Sequence, residues 1–167
     1  MITFPANVEQ RLHAALPHVA FQARAILDAA RLAGGRIGPA AEVARTLGLS
    51  SRFALGRMLR RQGLPGLREL AAWISVLEWV ALAERSDASL FVIATRSRRS
   101  PAVCYRTVKR LTGLTWLELK GRGYTWVWDR FVRRCRVIGS RRGRSGEAAV
   151  RSEVRVAPGA SIRPYSR

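Results

Sequence analysis

The sequence of 167 residues predicts an all-α protein. In the predicted architecture, two helix-turn-helix subdomains are joined by a long linker helix and followed by a disordered basic C-terminal tail. Three observations lead to this prediction. Apolar residues recur at the three- and four-residue spacing of helices. A pattern of short helices and tight turns repeats after fifty residues. Positive charge is concentrated in the second half of the chain.

Residues 1–38 form the predicted N-terminal helical segment. Val8 and Leu12 have helical spacing, and a second helical stretch over residues 21–32 is ended by Gly34-Gly35.

Residues 39–66 form the predicted first helix-turn-helix. Apolar side chains of its first helix share one face, and these are Ala40, Val43, Ala44 and Leu47. Gly48 permits a left-handed turn residue, and Ser50 is the expected N-cap of the next helix. That helix is expected over residues 51–62 and is closed by Gly63.

Residues 67–85 form the predicted linker helix, in which Trp73, Ile74, Leu77 and Val80 would pack both units. Its most apolar stretch, residues 70–83, has 14 residues and contains Glu78. That stretch is too short and too polar to span a bilayer readily, which favours a buried core helix.

Residues 86–136 form the predicted second helix-turn-helix with a terminal helix. Ser86-Asp87 would cap a short helix over residues 88–95. Ser100-Pro101 would open the recognition helix, which ends at Gly113. Thr115 and Glu118 have the spacing of a capping box, and a final helix is expected over residues 124–134.

The basic segment 137–167 is rich in Gly, Ser and Arg and lacks a sustained helical period. It is therefore predicted to be mostly disordered, with a weak tendency to a strand near residues 150–156.

The two helix-turn-helix stretches align without a gap. The matched positions include Ala44 with Ala94, Ser50 with Ser100, Arg60 with Arg110 and Gly63 with Gly113. These positions include a cap, a helix end and the alanine beneath the turn, so the match indicates a repeated structure.

The net charge of +19 predicts a polyanionic partner. Residues 86–136 carry 12 basic and 3 acidic residues, and residues 137–167 carry 7 and 2, which gives +9 and +5 for these segments. Nucleic acid is the first expectation, and an anionic membrane surface is the second.

Residue counts argue against several other classes. Two cysteines, Cys104 and Cys135, are too few for a disulfide framework or a zinc quartet, and the two histidines, His13 and His18, both precede the basic part of the chain. Tyr105 lies in a basic helix, as a recombinase nucleophile could, but no histidine is available there to complete such a site. An enzyme and a cofactor are therefore not expected. No secretory signal is visible, which predicts a cytoplasmic, nucleoid-associated protein.

The outward faces of the two recognition helices can be assigned at about 100° per residue. Ala54, Leu55, Met58 and Leu59 face inward in the first helix, as do Cys104, Val108 and Leu111 in the second. The candidate DNA-binding residues are Ser51, Arg52, Phe53, Gly56, Arg57, Arg60, Ala102, Tyr105, Arg106, Lys109 and Arg110. Arginine can grip guanine, lysine suits phosphate, and alanine or tyrosine can contact a thymine methyl.

These stretches resemble the DNA-binding domain of AraC/XylS-family transcriptional regulators over residues 22–120. The match includes Ser100-Pro101, Arg106, Lys109-Arg110, Gly113 and Thr115, with Leu47-Gly48-Leu49-Ser50 in the first unit. Arg98-Arg99 replaces the family's usual glycine and aromatic residue. The resemblance implies a sequence-specific regulator with two recognition helices in successive major grooves. No effector domain fits in residues 1–35, so no small-molecule ligand is expected.

Two other functions stay open from the sequence. A non-specific nucleic-acid-binding or architectural protein would need only the positive charge. A protein-binding module could use Trp126, Trp128 and Phe131 to contact RNA polymerase or a second copy, although such a cluster is more typical of a core. The sequence does not determine whether the protein is a monomer or a dimer.

Overall fold

The computed structural model describes the backbone of residues 19–153 and the side chains of residues 19–138. Every regular element in this range is a helix, which confirms the all-α prediction. The seven helices are α1 (Phe21–Leu32), α2 (Ala40–Thr46), α3 (Arg52–Arg61), α4 (Leu67–Ser86), α5 (Leu90–Arg96), α6 (Pro101–Thr112) and α7 (Trp116–Glu153). The predicted helical residues Val8 and Leu12 lie outside the described range.

Helix α4 lies at the centre of the fold. It contacts α1, α5, α6 and α7, and eleven of its twenty residues are buried. Its bounds agree with the prediction, and Trp73, Ile74, Leu77 and Val80 are all buried as expected. A helix that is apolar on most sides forms a stable element only when other elements cover it.

The first helix pair, α2 and α3, is joined by a turn of defined geometry. Gly48 has a φ of +68°, and the Leu49 N–H donates to the Ala44 carbonyl at 2.8 Å. Ser51 is the N-cap of α3, and its hydroxyl accepts from the Ala54 N–H at 3.2 Å. The N-cap therefore lies one residue after the predicted Ser50.

The second helix pair, α5 and α6, has the same turn fifty residues later. Arg98 takes the position of Gly48 with a φ of +51°, and the Arg99 N–H donates to the Ala94 carbonyl at 2.9 Å. A left-handed backbone conformation is sterically unfavourable for arginine but not for glycine. Contacts with surrounding residues must therefore stabilise this conformation at Arg98. The repeat is thus present in the backbone of the two turns.

The start of α5 differs from the prediction. Ser89, rather than Ser86-Asp87, is the N-cap, and its hydroxyl accepts from the Val92 N–H at 3.3 Å. Residues up to Ser86 continue α4, because α4 ends only where Asp87 turns left-handed with a φ of +52°.

The predicted capping box at the start of α7 is present. The Thr115 N–H donates to Glu118 Oε2 at 2.6 Å, and the Glu118 N–H donates to Thr115 Oγ1 at 3.4 Å. Glycine then kinks α7 at Gly123, whose φ is +77°. The Tyr124 N–H released by this kink donates to Glu84 Oε1 of α4 at 2.6 Å.

Beyond the kink, α7 packs along α4. The rings of Trp73 and Phe131 lie 6.1 Å apart, and those of Trp128 and Phe131 lie 6.2 Å apart. Trp128 and Phe131 are buried, whereas Trp126 is half-buried beneath the Arg130 guanidinium. Two of the three aromatic residues considered for a partner surface therefore belong to the core.

The predicted disorder after residue 136 is wrong for residues 137–153, which continue α7. Extending an existing helix by further residues requires no new nucleation, so it is less unfavourable than starting a helix. The composition of residues 137–153 does not indicate that a helix precedes them and can be extended. The suggested strand near residues 150–156 is likewise absent from residues 150–153, and residues 154–167 lie outside the described range.

The turn after α1 approaches α4 closely. Gly35 has a φ of +74°, and a Cβ there would lie 2.0 Å from Ser75 Oγ and 2.5 Å from the Ala71 carbonyl oxygen. Arg99 Nη2 also donates to the Gly34 carbonyl at 2.7 Å. This turn therefore joins α1, α4 and the second helix pair.

We expect Gly35→Ala to lower the free energy of unfolding by roughly 2–5 kcal/mol, because backbone strain adds to a collision with α4. Gly48→Ala is the matched control, since its φ is similar and its Cβ would meet nothing within 4 Å. It should cost only about 1–2 kcal/mol. Urea unfolding of both variants measures the difference, and equal losses would contradict the close approach at Gly35.

Candidate nucleic-acid interface

Helices α3 and α6 each bury one face and expose the other. Leu55 and Leu59 are buried in α3, with Ala54 and Met58 half-buried beside them. Cys104, Val108 and Thr112 are buried in α6, and Leu111 is half-buried. The predicted inward faces are therefore correct, with Thr112 as an addition because its hydroxyl donates to the Val108 carbonyl at 2.8 Å.

The outward face of α3 combines cations with an aromatic side chain and a glycine. Arg52, Arg57 and Arg60 are exposed, and Phe53 is 63% exposed. The Arg52 guanidinium lies 5.0 Å from the centroid of the Phe53 ring, as in a cation–π contact.

Gly56 lies in the middle of this outward face of α3. A Cβ at Gly56 would meet nothing within 4 Å. Glycine therefore makes α3 less stable than alanine would, although no neighbouring atom of the described protein would collide with a side chain here. It leaves the α3 backbone open to close approach by a partner.

The outward face of α6 carries the other predicted contacts. Ala102, Arg106, Lys109 and Arg110 are exposed, and Tyr105 is 41% exposed. The Arg106 side chain lies along its own helix, where Nε donates to the Ala102 carbonyl at 3.4 Å.

Val103 is not among the predicted contacts, yet it is 50% exposed on α6. Val103 lies two helical turns before Arg110 and thus on the same side of the helix. That spacing was available from the sequence.

Ser51 differs from the other predicted contacts. Its hydroxyl is used as the N-cap acceptor and its side chain is half-buried. The residue therefore stabilises the start of α3, at roughly 1 kcal/mol for a typical cap of this kind. Its O–H hydrogen remains free to donate outward.

Neither α3 nor α6 contains an acidic residue. Several carboxylates are instead used within the fold. Glu69 accepts from Arg134 Nε at 2.8 Å, and this hydrogen bond lowers the pKa of Glu69. Asp87 pairs with Lys120, and Glu118 caps α7, where the Thr115 backbone N–H lowers the pKa of Glu118. No acidic residue of α3 or α6 therefore competes with an external anion for the exposed cations of these helices.

Both cysteines are free and buried. Burial raises the pKa of the Cys104 thiol and raises that of Cys135 to about 12, so both are protonated at neutral pH. Within the described residues, no group of three or more His, Cys, Asp or Glu side chains could hold a metal ion. None of the described helices is long and apolar enough to cross a membrane.

Comparison with known protein families, curated proteins and solved structures finds no match to this chain. The AraC/XylS resemblance therefore stays a prediction from the residues quoted for it.

We expect Gly56→Ala to raise the free energy of unfolding by about 1 kcal/mol, because alanine favours a helix interior. The same variant should bind duplex DNA at least several-fold more weakly, since the methyl group holds the α3 backbone away from a groove.

Gly121→Ala is the matched control, because Gly121 is also helical and its Cβ would meet nothing within 4 Å. It should stabilise the protein without changing DNA affinity. Thermal unfolding and fluorescence anisotropy measure the two effects. Unchanged DNA affinity of Gly56→Ala would exclude close approach of DNA to this face.

Proposed function

We propose that the protein is a sequence-specific double-stranded DNA-binding regulator of transcription, of the kind found in the AraC/XylS family. In this proposal the two helix pairs are helix-turn-helix units, and α3 and α6 are their recognition helices. The observation that carries it is that two exposed, acid-free cationic helices follow turns with the same backbone hydrogen bonds, fifty residues apart.

The outward side chains have chemistry suited to both phosphates and base edges. Arg57 and Arg106 would contact guanine through their guanidinium groups, while Lys109 would bind phosphate. Ala102 and Tyr105 would lie against thymine methyl groups, and Phe53 would contact base edges at the other unit. This combination of apolar and cationic groups on one face supports base readout in addition to charge neutralisation.

Helix α4 would set the spacing of the two units. Its twenty residues span about 30 Å at a rise of 1.5 Å per residue. One turn of B-DNA is about 34 Å. A buried, rigid helix of this length is suitable for holding two recognition helices in successive major grooves on one side of the duplex.

The main alternative is a non-specific nucleic-acid-binding or architectural protein. The net charge of +19 favours it, because charge alone supports binding to any duplex. RNA polymerase or a second copy of the chain would be a further partner, and the nucleoid of the cytoplasm would be the site of action. Selection of binding sites from a random duplex library separates the specific function from the non-specific one.

We predict that the full chain enriches a motif with two separated blocks of bases. Arg57→Ala and Arg106→Ala should each erase the preference in one block, at a cost of about 1–3 kcal/mol, because each removes one direct base contact. Arg45→Ala is the control, since Arg45 is exposed on α2 rather than on a recognition helix. It should leave the motif unchanged. A library without enrichment, or identical motifs for all variants, would contradict the proposal.

We also predict a steep dependence of DNA affinity on salt. Neutralising about six phosphates gives a slope of roughly −5 in a plot of log association constant against log salt concentration. Titrations with the enriched duplex and with a scrambled duplex measure both slopes. Affinity that does not change with salt would be incompatible with the assigned phosphate contacts.

A further inference from the structure

A cavity of about 730 Å³ lies between the end of α1, the middle of α4 and the turn that joins α5 to α6. No residue of α3 or α6 lines it, so it is separate from the candidate DNA-binding faces. Its volume lies in the range of small-molecule binding pockets, about 300–1,000 Å³. The residues that form the cavity are far apart in the chain, so the sequence alone does not predict a ligand here.

One part of the wall is charged. Arg36, Arg96 and Arg99 line the cavity together with a single carboxylate, Glu78. Arg99 is held in place, since Nη2 donates to the Gly34 carbonyl at 2.7 Å and the guanidinium lies 5.6 Å from the Trp79 ring. Among the described residues neither Arg36 nor Arg96 forms an ion pair. Arg31 also lines the cavity but already has an interaction partner.

Glu78 and Arg99 of this charged wall are half-buried, whereas Arg36 and Arg96 are exposed. Burial raises the pKa of Glu78, although Arg99 and Arg36 oppose the effect. Burial likewise lowers the pKa of Arg99. Electrostatic contacts to a ligand are stronger in such surroundings than on an open surface.

Another part of the wall is apolar, and two serines, Ser86 and Ser97, also line the cavity. The apolar part includes Leu32, Leu82, Ala88 and Ile93. An apolar wall with a few converging charged groups is typical of sites that bind the body of an organic molecule and fix its orientation through one polar end.

We propose that this cavity binds a small organic phosphate monoester with a compact apolar or aromatic group. Four guanidinium groups, that of Arg31 included, and one carboxylate give the wall a formal charge of +3. A phosphate monoester carries about −1.5 to −2 at neutral pH, which compensates most of that charge. Planar guanidinium groups match phosphate oxygens in a bidentate manner. A monocarboxylate would compensate only one of these charges.

A bound phosphate would also act on the second helix pair. Arg99 directly precedes Ser100, the N-cap of α6, while Arg36 follows α1. A ligand held by both would fix the start of α6 relative to the rest of the fold. This consequence depends on the proposed function, whereas the binding site itself does not.

Isothermal titration of the full chain with phenyl phosphate tests the site. Saturable binding of one molecule per chain is expected, tighter than that of inorganic phosphate or of phenol. Arg96→Ala should weaken it about tenfold. Glu78→Gln should strengthen it several-fold, because the amide removes repulsion while keeping the shape of the side chain. Arg45→Ala removes another exposed arginine, at the end of α2 and outside the cavity, and should have no effect.

The absence of phenyl phosphate binding overturns the inference. Equal weakening of phenyl phosphate binding by Arg96→Ala and Arg45→Ala also overturns it, and so does phenyl phosphate binding no tighter than that of inorganic phosphate. Either result would show a general attraction of anions to a basic surface. Circular dichroism confirms that each variant is folded. Site selection on the same preparations keeps the two proposals apart: a motif without phenyl phosphate binding refutes only the site, and the reverse result refutes only the DNA-binding function.

Discussion

The burial of α4 is the constraint on which the packing of the fold depends, and the first helix pair is attached to this packing where α3 contacts α7. Helix α4 cannot expose the apolar side chains on most of its circumference to water, so α1, α5, α6 and α7 must cover it. Polar contacts then fix the orientation of these covering elements. The Gly34-Gly35 turn approaches α4 through Ser75 and Ala71, and Glu84 accepts from the backbone released at the Gly123 kink. A rigid central helix would hold the outward faces of α3 and α6 at a fixed separation, so that both could bind the same duplex.

Several acidic side chains form contacts within the fold, whereas the cations of α3 and α6 lie on its outer faces. Glu69, Glu84, Asp87 and Glu118 are used for ion pairs, a backbone contact and a cap. Glu78 lies in the cavity wall. None of these carboxylates is on α3 or α6, so no acidic residue of these two helices lies among the exposed cations of their outward faces. The same sequence feature, an excess of arginine over acids, thus supplies both the proposed DNA-binding faces and the proposed phosphate cavity.

Much of the fold could be predicted from the sequence because local chemistry decides it. Helical spacing, Gly63 and Gly113 at helix ends, Pro101 in a first turn and the Thr115–Glu118 capping box all depend on nearby residues. The predicted N-cap of α3 is wrong by one residue, because Ser50 and the adjacent Ser51 are both suitable capping residues. Helix continuation past residue 136 could not be predicted, since residues 137–153 lack a helical period and follow a part of α7 that is packed on α4 through contacts such as that of Phe131 with Trp73. The cavity was also unpredictable, because α1, α4 and α5 meet only in the folded chain.

The central claim is that α3 and α6 engage neighbouring major grooves at a separation that α4 holds fixed. Changing the distance between the two base blocks of the enriched duplex tests it most directly. Inserting about five base pairs, half a turn of B-DNA, moves one block to the opposite side of the duplex. The account predicts that the specific affinity of the full chain falls to the level of a duplex with only one block. Unchanged affinity after this insertion would show that the two helices do not bind together, and would contradict the account.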